Sequence, residues 1–380
     1  MENNKVLFGM SGDVSEAVKD MSVTDSVCEV NKKIKVLLGM SGGVDSSVSA
    51  ILLKEKGYDV IGTTMELFAH SNCANEDTYK DAKAMCEFLG INHYGYDFKE
   101  DFKKHVINDF IECYKNCKTP NPCIECNRYM KFGAMLKKAQ ELKCDYIATG
   151  HYAKTEYSEK YSRWVLKKSN AGKKDQSYVL WSIPKEILEF IIFPLADFEN
   201  KEQIRDIAKE NNLIVANKPD SEDICFIPNG NYKEFLEQNS DIKPNPGNIV
   251  NSKGKIFGKH NGLYNYTIGQ RKGLGISNPV PLFVLGFNSE KNEVIVGEES
   301  ELYSKEILVK DINLLLVDEI KEEMEVYVKT RYSAKEAKAK IIQNGEYIKI
   351  VFDEPQRAIT PGQSAVFYID DIVLGGGKII

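Results

Sequence analysis

The chain predicts an α/β protein in which a doubly wound parallel sheet on the N-terminal side is followed by a small, mostly β linking domain and a C-terminal β-barrel. Three observations lead there. Strand and helix patterns alternate from Lys35 to about Lys218, and such alternation lays parallel strands side by side with helices on both faces and a ligand at the carboxyl edge. Past Ile227 the texture changes to glycine-rich turns between short strands, with Gly247, Gly254, Gly258, Gly262, Gly269, Gly273 and Gly275 as punctuation. From Ile307 onward, apolar and polar residues alternate, as over 326–332 and 347–352, with Pro361-Gly362 as a turn, which suggests a barrel.

Taken in order, the first apolar run predicts a strand over 35–39, followed by a helix over 45–56 whose Val48, Ile51 and Leu52 recur at helical spacing with Ala50 small between them. A strand over 59–64, a helix over 77–89, a strand over 93–97, a long helix over about 102–115, a helix over 131–142 and a strand over 146–149 complete the alternation, with a further helix over 202–211. Domains are expected over 32–228, 229–299 and 300–380, behind a mobile extension over 1–31. That extension holds an echo of the main strand and turn: Lys5 to Val14 resembles Lys35 to Val44, but Asp13 replaces the glycine at Gly43 and Ser15 replaces the acid at Asp45. It reads as a decayed copy whose removal leaves activity unchanged, because the flexible glycine and the metal-binding acid are both lost.

The turn after the first strand carries most of the chemistry. Ser41-Gly42-Gly43-Val44-Asp45-Ser46-Ser47 sits between a strand pattern and a helix pattern, and five of its seven residues are glycine or serine. Such a turn presents backbone N–H groups to an anion. A Walker loop would need a lysine after the glycines and none follows Gly43, while a dinucleotide fingerprint would need three spaced glycines. Two glycines free the backbone, three hydroxyls can bond oxygens, and Asp45 is able to hold Mg²⁺. The loop resembles the pyrophosphate loop of the N-type ATP pyrophosphatases, which split ATP between its α and β phosphates to adenylate an oxygen.

Composition sets the outer limits. The 380 residues allow two or three domains, and 42% hydrophobic with 28% charged residues is a soluble balance. No apolar run is long enough to cross a membrane and the first residues do not read as a signal peptide, so no membrane partner and a cytoplasmic location are expected. A net charge of −6 argues mildly against nucleic acid, yet Arg163, Lys167, Lys168, Lys173 and Lys174 cluster, as do Lys329, Arg331, Lys335, Lys338 and Lys340. Nine cysteines in such a chain are reactive, metal-binding or buried rather than stapled, and Cys28, Cys73, Cys86, Cys113, Cys117 and Cys144 read as filler.

Three cysteines differ. Thr119-Pro120-Asn121-Pro122-Cys123-Ile124-Glu125-Cys126-Asn127 places a C-x-x-C in a proline-stiffened turn ahead of a helix carrying Arg128, Lys131, Phe132, Met135 and Leu136; the nearby helix start favours thiolate, hence nucleophilicity or metal binding. Asp220-Ser221-Glu222-Asp223-Ile224-Cys225-Phe226 puts one cysteine in a short strand after an acidic loop.

These pieces, together with Ala148-Thr149-Gly150-His151-Tyr152-Ala153, Lys174-Asp175-Gln176-Ser177-Tyr178, Tyr266-Thr267-Ile268-Gly269-Gln270-Arg271-Lys272-Gly273 and Arg331-Tyr332, resemble the bacterial tRNA-specific 2-thiouridylases in order and spacing from about Lys35 to the C-terminus. The resemblance implies an adenine nucleotide alpha hydrolase-like N-terminal fold, and a reaction in which ATP adenylates the C2 oxygen of the wobble uridine in tRNAs for Lys, Glu and Gln. Pyrophosphate is released, and persulfide sulfur then displaces AMP. It implies Cys225 as persulfide carrier and Cys126 as its nucleophilic partner. It implies nucleotide contacts at Gly39, Met40, Ser41, Gly42, Gly43, Val44, Asp45, Ser46, Met65 and Gly150. It further implies tRNA contacts at Asn121, Pro122, Cys123, His151, Lys174, Asp175, Gln176, Arg331, Tyr332 and Gln363, and a cysteine desulfurase or relay protein as sulfur donor. Lys174 and Arg331 suit phosphates, and Tyr332 suits stacking on a splayed base; His151 reads equally well as an interior histidine.

One departure matters. Many members of that family carry aspartate where Cys123 stands, so either that acid is dispensable here or Cys123, Cys126 and Cys225 form a three-thiolate site suited to a [4Fe–4S] cluster. Two other adenylating classes use a pyrophosphate loop of this kind. A lysidine synthetase needs no cysteine pair and a small-molecule amidotransferase needs a glutaminase nucleophile, so neither fits Cys126 and Cys225. A non-catalytic RNA-binding protein on a dead nucleotide fold would tolerate loss of Asp45, which is present.

Overall fold

A computed structural model describes residues 33–68, 76–218, 224–227 and 230–380. The extension over 1–31, its echo of the phosphate loop, Cys28, Cys73 and the acidic residues 220–223 lie outside the described residues. Two compact units form: one runs to Lys103 and resumes from Ile124 to Phe226, and the other joins Lys104–Cys123 to Ile227–Ile380.

In the first unit, β1 (Lys35–Gly39), β2 (Asp59–Glu66), β3 (Asn92–Asp97), β4 (Tyr146–Ala148) and, after the antiparallel hairpin β5 (Ala153–Ser158) and β6 (Arg163–Lys168), β7 (Ile191–Ile192) supply the strands. The parallel sheet has the order β3-β2-β1-β4-β7, with Leu37 of β1 opposite Ile61 on one side and Ile147 on the other. Val36, Leu37 and Leu38 are fully buried, as expected of a strand covered on both faces. Helices α1 (Val44–Glu55), α2 (Glu76–Leu89), α3 (Met135–Glu141) and α4 (Lys201–Glu210) complete the unit. Val48, Ile51 and Leu53 of α1, Met85 of α2, and Ile204 and Ala208 of α4 join Val36 and Leu38 in one core. Strand order reverses at β1, so a crevice opens beyond its carboxyl end, where the Ser-Gly-Gly turn lies.

Two elements differ from expectation. The C-x-x-C does not lie in a turn: a helix begins at Pro122 (Pro122–Glu125), continues in π-helical form over Cys126–Ala134 and runs on into α3. Proline is favoured at a first helical position, where its missing N–H has no partner to lose, so Pro122 starts a helix rather than stiffening a turn. Cys225 lies in a turn, not a strand. The adjoining Phe226 is held by its buried ring, edge-on to Phe102 at 5.7 Å, so packing fixes this segment without strand pairing.

In the second unit, helices Asn108–Lys115 and Tyr232–Asn239 meet through aromatic rings, with Tyr114 stacked on Tyr232 at 5.0 Å and Phe110 edge-on to Phe235 at 6.1 Å. A small sheet of β8 (Gly247–Val250), β9 (Ile256–His260), β10 (Phe283–Asn288) and β11 (Glu293–Gly297) has the order β10-β11-β8-β9. The strands β12 (Tyr303–Leu314), β13 (Met324–Lys329), β14 (Ala337–Asn344), β15 (Tyr347–Arg357), β16 (Ser364–Ile369) and β17 (Ile372–Ile379) then close into a barrel through β12–β17 pairing. Closure removes the open edges of the sheet. Val326 and Val328 point inward and Tyr327 outward, the alternation expected of a barrel strand.

Candidate active site

The Ser-Gly-Gly turn folds into an open cradle. Gly42 has φ +64°, and a Cβ there would fall 2.8 Å from Asp81 Cβ, so only glycine fits. Gly43 is extended and caps α1 without any side-chain hydrogen bond to the first turn, which leaves that turn's donors for an anion. Ser46 and Ser47 donate to the Gly43 carbonyl at 3.1 and 2.9 Å, so two of the three hydroxyls expected to meet oxygens of a ligand brace the loop instead; Ser41 is exposed. Two residues past the end of β4, Gly150 packs so closely that a Cβ would lie 3.1 Å from both Asp45 Cβ and Ser46 N. Met40 N donates to Thr63 O at 2.7 Å, tying the loop to β2, whose end carries Met65.

Asp45 is held from two sides. The Tyr152 hydroxyl donates to Oδ1 at 2.7 Å, and the Lys201 ammonium, from the first residue of α4, lies 2.5 Å from Oδ2. Lys218 Nζ donates to the Gly42 carbonyl at 3.2 Å and to Asp81 at 2.8 Å. Neither lysine was expected from the sequence, because their partners are more than a hundred residues away; the one local signal is Asn200, an N-cap that places Lys201 at the helix start. The Asp45 carboxylate, half-exposed beside the bare first turn, is a hard oxygen donor of the kind that holds Mg²⁺ together with substrate phosphates, so the residues present fit that ion.

Among the three singled-out cysteines, Cys126 is buried, Cys225 half-buried and Cys123 exposed, and all are thiols. Beside Cys126, the buried Asn127 donates to Val179 O at 2.8 Å, which fixes the start of the π-helical turn. Among the described residues no group of three or more His, Cys, Asp or Glu side chains is gathered to hold a metal ion. The iron–sulfur expectation therefore finds no preformed ligand set. Burial pushes the thiols of Cys86 and Cys144 up to about 12 and about 11, in keeping with inert filler.

The expected RNA contacts divide. His151 is 8% exposed, with Nδ1 2.7 Å from Thr149 Oγ1 and Nε2 3.3 Å from Lys131 Nζ, so its ring is interior. Asp175 accepts from Ser169 N and Ser177 Oγ at 2.9 and 2.7 Å, while Gln176 Oε1 accepts from Tyr152 N at 3.0 Å; both brace their own loop. Lys174 is exposed beside them. In the second unit, Gln363 Nε2 donates to the carbonyls of Thr119 and Pro120 at 2.9 and 3.2 Å, which positions the turn leading to Asn121, Pro122 and Cys123. Arg331, half-exposed, donates from Nη2 to Ile268 O at 3.2 Å, to Ala358 O at 2.8 Å and to Thr360 Oγ1, which braces the Tyr266–Gly273 segment. Tyr332 is exposed, with Lys329 Nζ 5.7 Å from its ring centre, and suits stacking.

Three family models match successive stretches of the chain: "tRNA methyl transferase HUP domain" over 34–229, "tRNA methyl transferase PRC-barrel domain" over 233–298 and "Aminomethyltransferase beta-barrel domain" over 304–379. Among curated proteins, the tRNA-specific 2-thiouridylase MnmA of Acetivibrio thermocellus is 48% identical over 358 residues, covering 91% of this chain and 99% of its own. The chain belongs to the tRNA-specific 2-thiouridylase family. The MnmA of Clostridioides difficile, 48% identical with 92% and 98% covered, and that of Clostridium beijerinckii, 46% identical with 91% and 99% covered, agree. Membership in the 2-thiouridylases sets aside the lysidine synthetase, amidotransferase and dead-fold readings.

Proposed function

We propose that this 2-thiouridylase adenylates the C2 oxygen of the wobble uridine in tRNAs for Lys, Glu and Gln and replaces it with sulfur carried on Cys225. End-to-end similarity to the thiouridylases carries the reading, and the bare first turn of α1 supports it. A carbonyl oxygen leaves poorly, so the first step attaches it to phosphorus: the uridine oxygen attacks the α-phosphorus of ATP, an O–P bond forms, the Pα–O bond to the β-phosphate breaks, and its electron pair departs on pyrophosphate. Backbone N–H groups at Gly42, Gly43 and the first turn of α1 receive the charge that develops there. Asp45 would hold Mg²⁺, which neutralises phosphate charge when bound.

In the second step the terminal sulfur of a Cys225 persulfide attacks C2, and the C–O bond breaks with AMP as leaving group. The Cys126 thiolate then attacks the Cys225 sulfur, breaking the S–S bond, freeing the thiocarbonyl and leaving a Cys126–Cys225 disulfide for an external dithiol to reduce. Equally balanced is prior attack of Cys126 on the persulfide, which expels sulfide as the nucleophile and leaves the same disulfide. Both routes use two thiols and no cluster. A cysteine desulfurase or relay protein supplies the persulfide. No helix among the described residues is long and apolar enough to cross a membrane, and a cytoplasmic location matches the proposed tRNA and ATP substrates.

Cys225→Ser and Cys126→Ser test the assignment. Each variant is expected to lose tRNA thiolation entirely while tRNA affinity, read by filter binding, stays within twofold; full thiolation by Cys225→Ser refutes the sulfur route.

A further inference from the structure

The phosphate loop has no lysine of its own, and an anion as charged as pyrophosphate is poorly held by backbone dipoles alone. The fold brings a lysine from elsewhere. Lys201, the first residue of α4, is 9% exposed, and its Nζ lies 2.5 Å from Asp45 Oδ2 in the first turn of α1. Tyr152 holds the other carboxylate oxygen at 2.7 Å and lies with its ring 5.9 Å from the same ammonium. Burying a lysine costs free energy unless its charge has a use or a partner, and Asp45 is the carboxylate expected to turn toward Mg²⁺ once ATP arrives. That leaves the ammonium beside the phosphates.

We propose that Lys201 is the phosphate-loop cation of this enzyme, paired with Asp45 before nucleotide binds and passing to the β- and γ-phosphate oxygens when it does, where it holds pyrophosphate as the Pα–O bond breaks. The inference rests on the reading of the Ser-Gly-Gly turn as the ATP site. The Lys201 charge offsets the electron pair that lands on the leaving oxygen, as a P-loop lysine does from a different place in the chain.

A merely structural lysine would only neutralise Asp45, and a double-mutant comparison separates the two roles. Inorganic pyrophosphate is titrated calorimetrically, in EDTA, into full-length Asp45→Asn and into Asp45→Asn combined with Lys201→Met, with thermal melts confirming folded protein. With the carboxylate gone, a structural lysine has nothing left to neutralise and the two bind alike. A lysine that touches phosphate makes the double variant at least tenfold weaker, and equal affinities overturn the proposal. In the otherwise native enzyme, Lys201→Met is expected to lower kcat for tRNA-dependent pyrophosphate release about 100-fold, on the scale of removing one donor from a developing anion, with KM for tRNA unchanged and Lys201→Arg restoring part of the loss. Unchanged kcat also overturns it. Should Lys201→Met fail to fold, Lys201→Gln carries the same comparison. Native enzyme that neither binds pyrophosphate nor releases it from ATP sinks the ATP-site reading itself, whereas native binding matched by both double-mutant arms sinks only the role of Lys201.

Discussion

His151 keeps a neutral ring in the interior of the first unit. The Lys131 ammonium can only donate, so Nε2 accepts and the proton resides on Nδ1, which donates to Thr149 Oγ1. Burial first, and the Lys131 charge second, hold its pKa well below the ordinary 6.5. An unfolded chain then takes up a proton near pH 6.5 that the folded one refuses, so the stability this histidine contributes is full above that pH and is lost as pH falls toward the depressed folded value. Denaturant midpoints measured from pH 8 down to 5 are expected to fall more steeply for the native protein than for His151→Gln, by up to about 1.4 kcal/mol per pH unit. His93 and His260, whose burial also lowers their pKa, are present in both proteins and cancel in the difference. Identical slopes would contradict the interior role. At this scale the sequence was partly legible. The Ser-Gly-Gly turn was legible as a local motif, whereas the backbone and neighbour contacts made by His151, Asp175, Gln176 and Arg331 follow no local pattern. Lys201 was invisible, since no local pattern reports a partner 156 residues away.

Between elements, the turn joining β15 to β16 does more than reverse the chain. Gly362 has φ +90°, and a Cβ there would come within 2.9 Å of Lys118 Cβ and 3.0 Å of Thr119 N and O. Thr119 N donates to Pro361 O at 2.9 Å in the same place. Gly362→Ala therefore combines a left-handed backbone with overpacking against main chain, and is expected to destabilise the protein by about 2–4 kcal/mol. Urea unfolding reads this directly, and an unchanged midpoint would show that the turn relaxes freely. Pro361-Gly362 was legible as a turn; its grip on Thr119 was not, because the barrel and that segment are distant in sequence. In the first unit the strands over 35–39, 59–64, 93–97 and 146–149 follow local periodicity and were legible to within a few residues, whereas the hairpin β5–β6 and the short β7 were not read from the sequence. Misreadings fell where a rule has two outcomes. Pro122 starts a helix instead of stiffening a turn, and the apolar residues around Cys225 are anchored by the Phe226 ring instead of a strand ladder.

On the scale of the whole molecule, an acidic protein must meet a polyanion. The net charge is −6, and the two lysine-rich clusters that the sequence offers as an RNA footprint are thinner in the fold than in the chain. Lys167 is bound to Glu156 at 2.8 Å, Lys338 to Glu325 at 3.2 Å and Lys340 to Glu323 at 2.8 Å, while Arg331 donates to Ala358 O at 2.8 Å. The Lys338 and Lys340 pairs are exposed, so they contribute little to stability and reopen easily for phosphate. Sequence texture announced the parallel sheet, the glycine-rich middle and the barrel, because each follows from local repetition; which cations are spent on carboxylates depends on strand register and could not be read in advance. The central claim is that uridine oxygen is adenylated and then replaced by thiol-borne sulfur. Nucleoside mass spectrometry tests it most directly, on unmodified tRNA for Lys, Glu or Gln incubated with iron-free enzyme, ATP, Mg²⁺, a persulfide donor and a dithiol. The account predicts 2-thiouridine at the wobble position, with AMP and pyrophosphate formed in equal amounts. A wobble uridine that stays unsulfurated under those conditions, or gains sulfur without ATP, would contradict it.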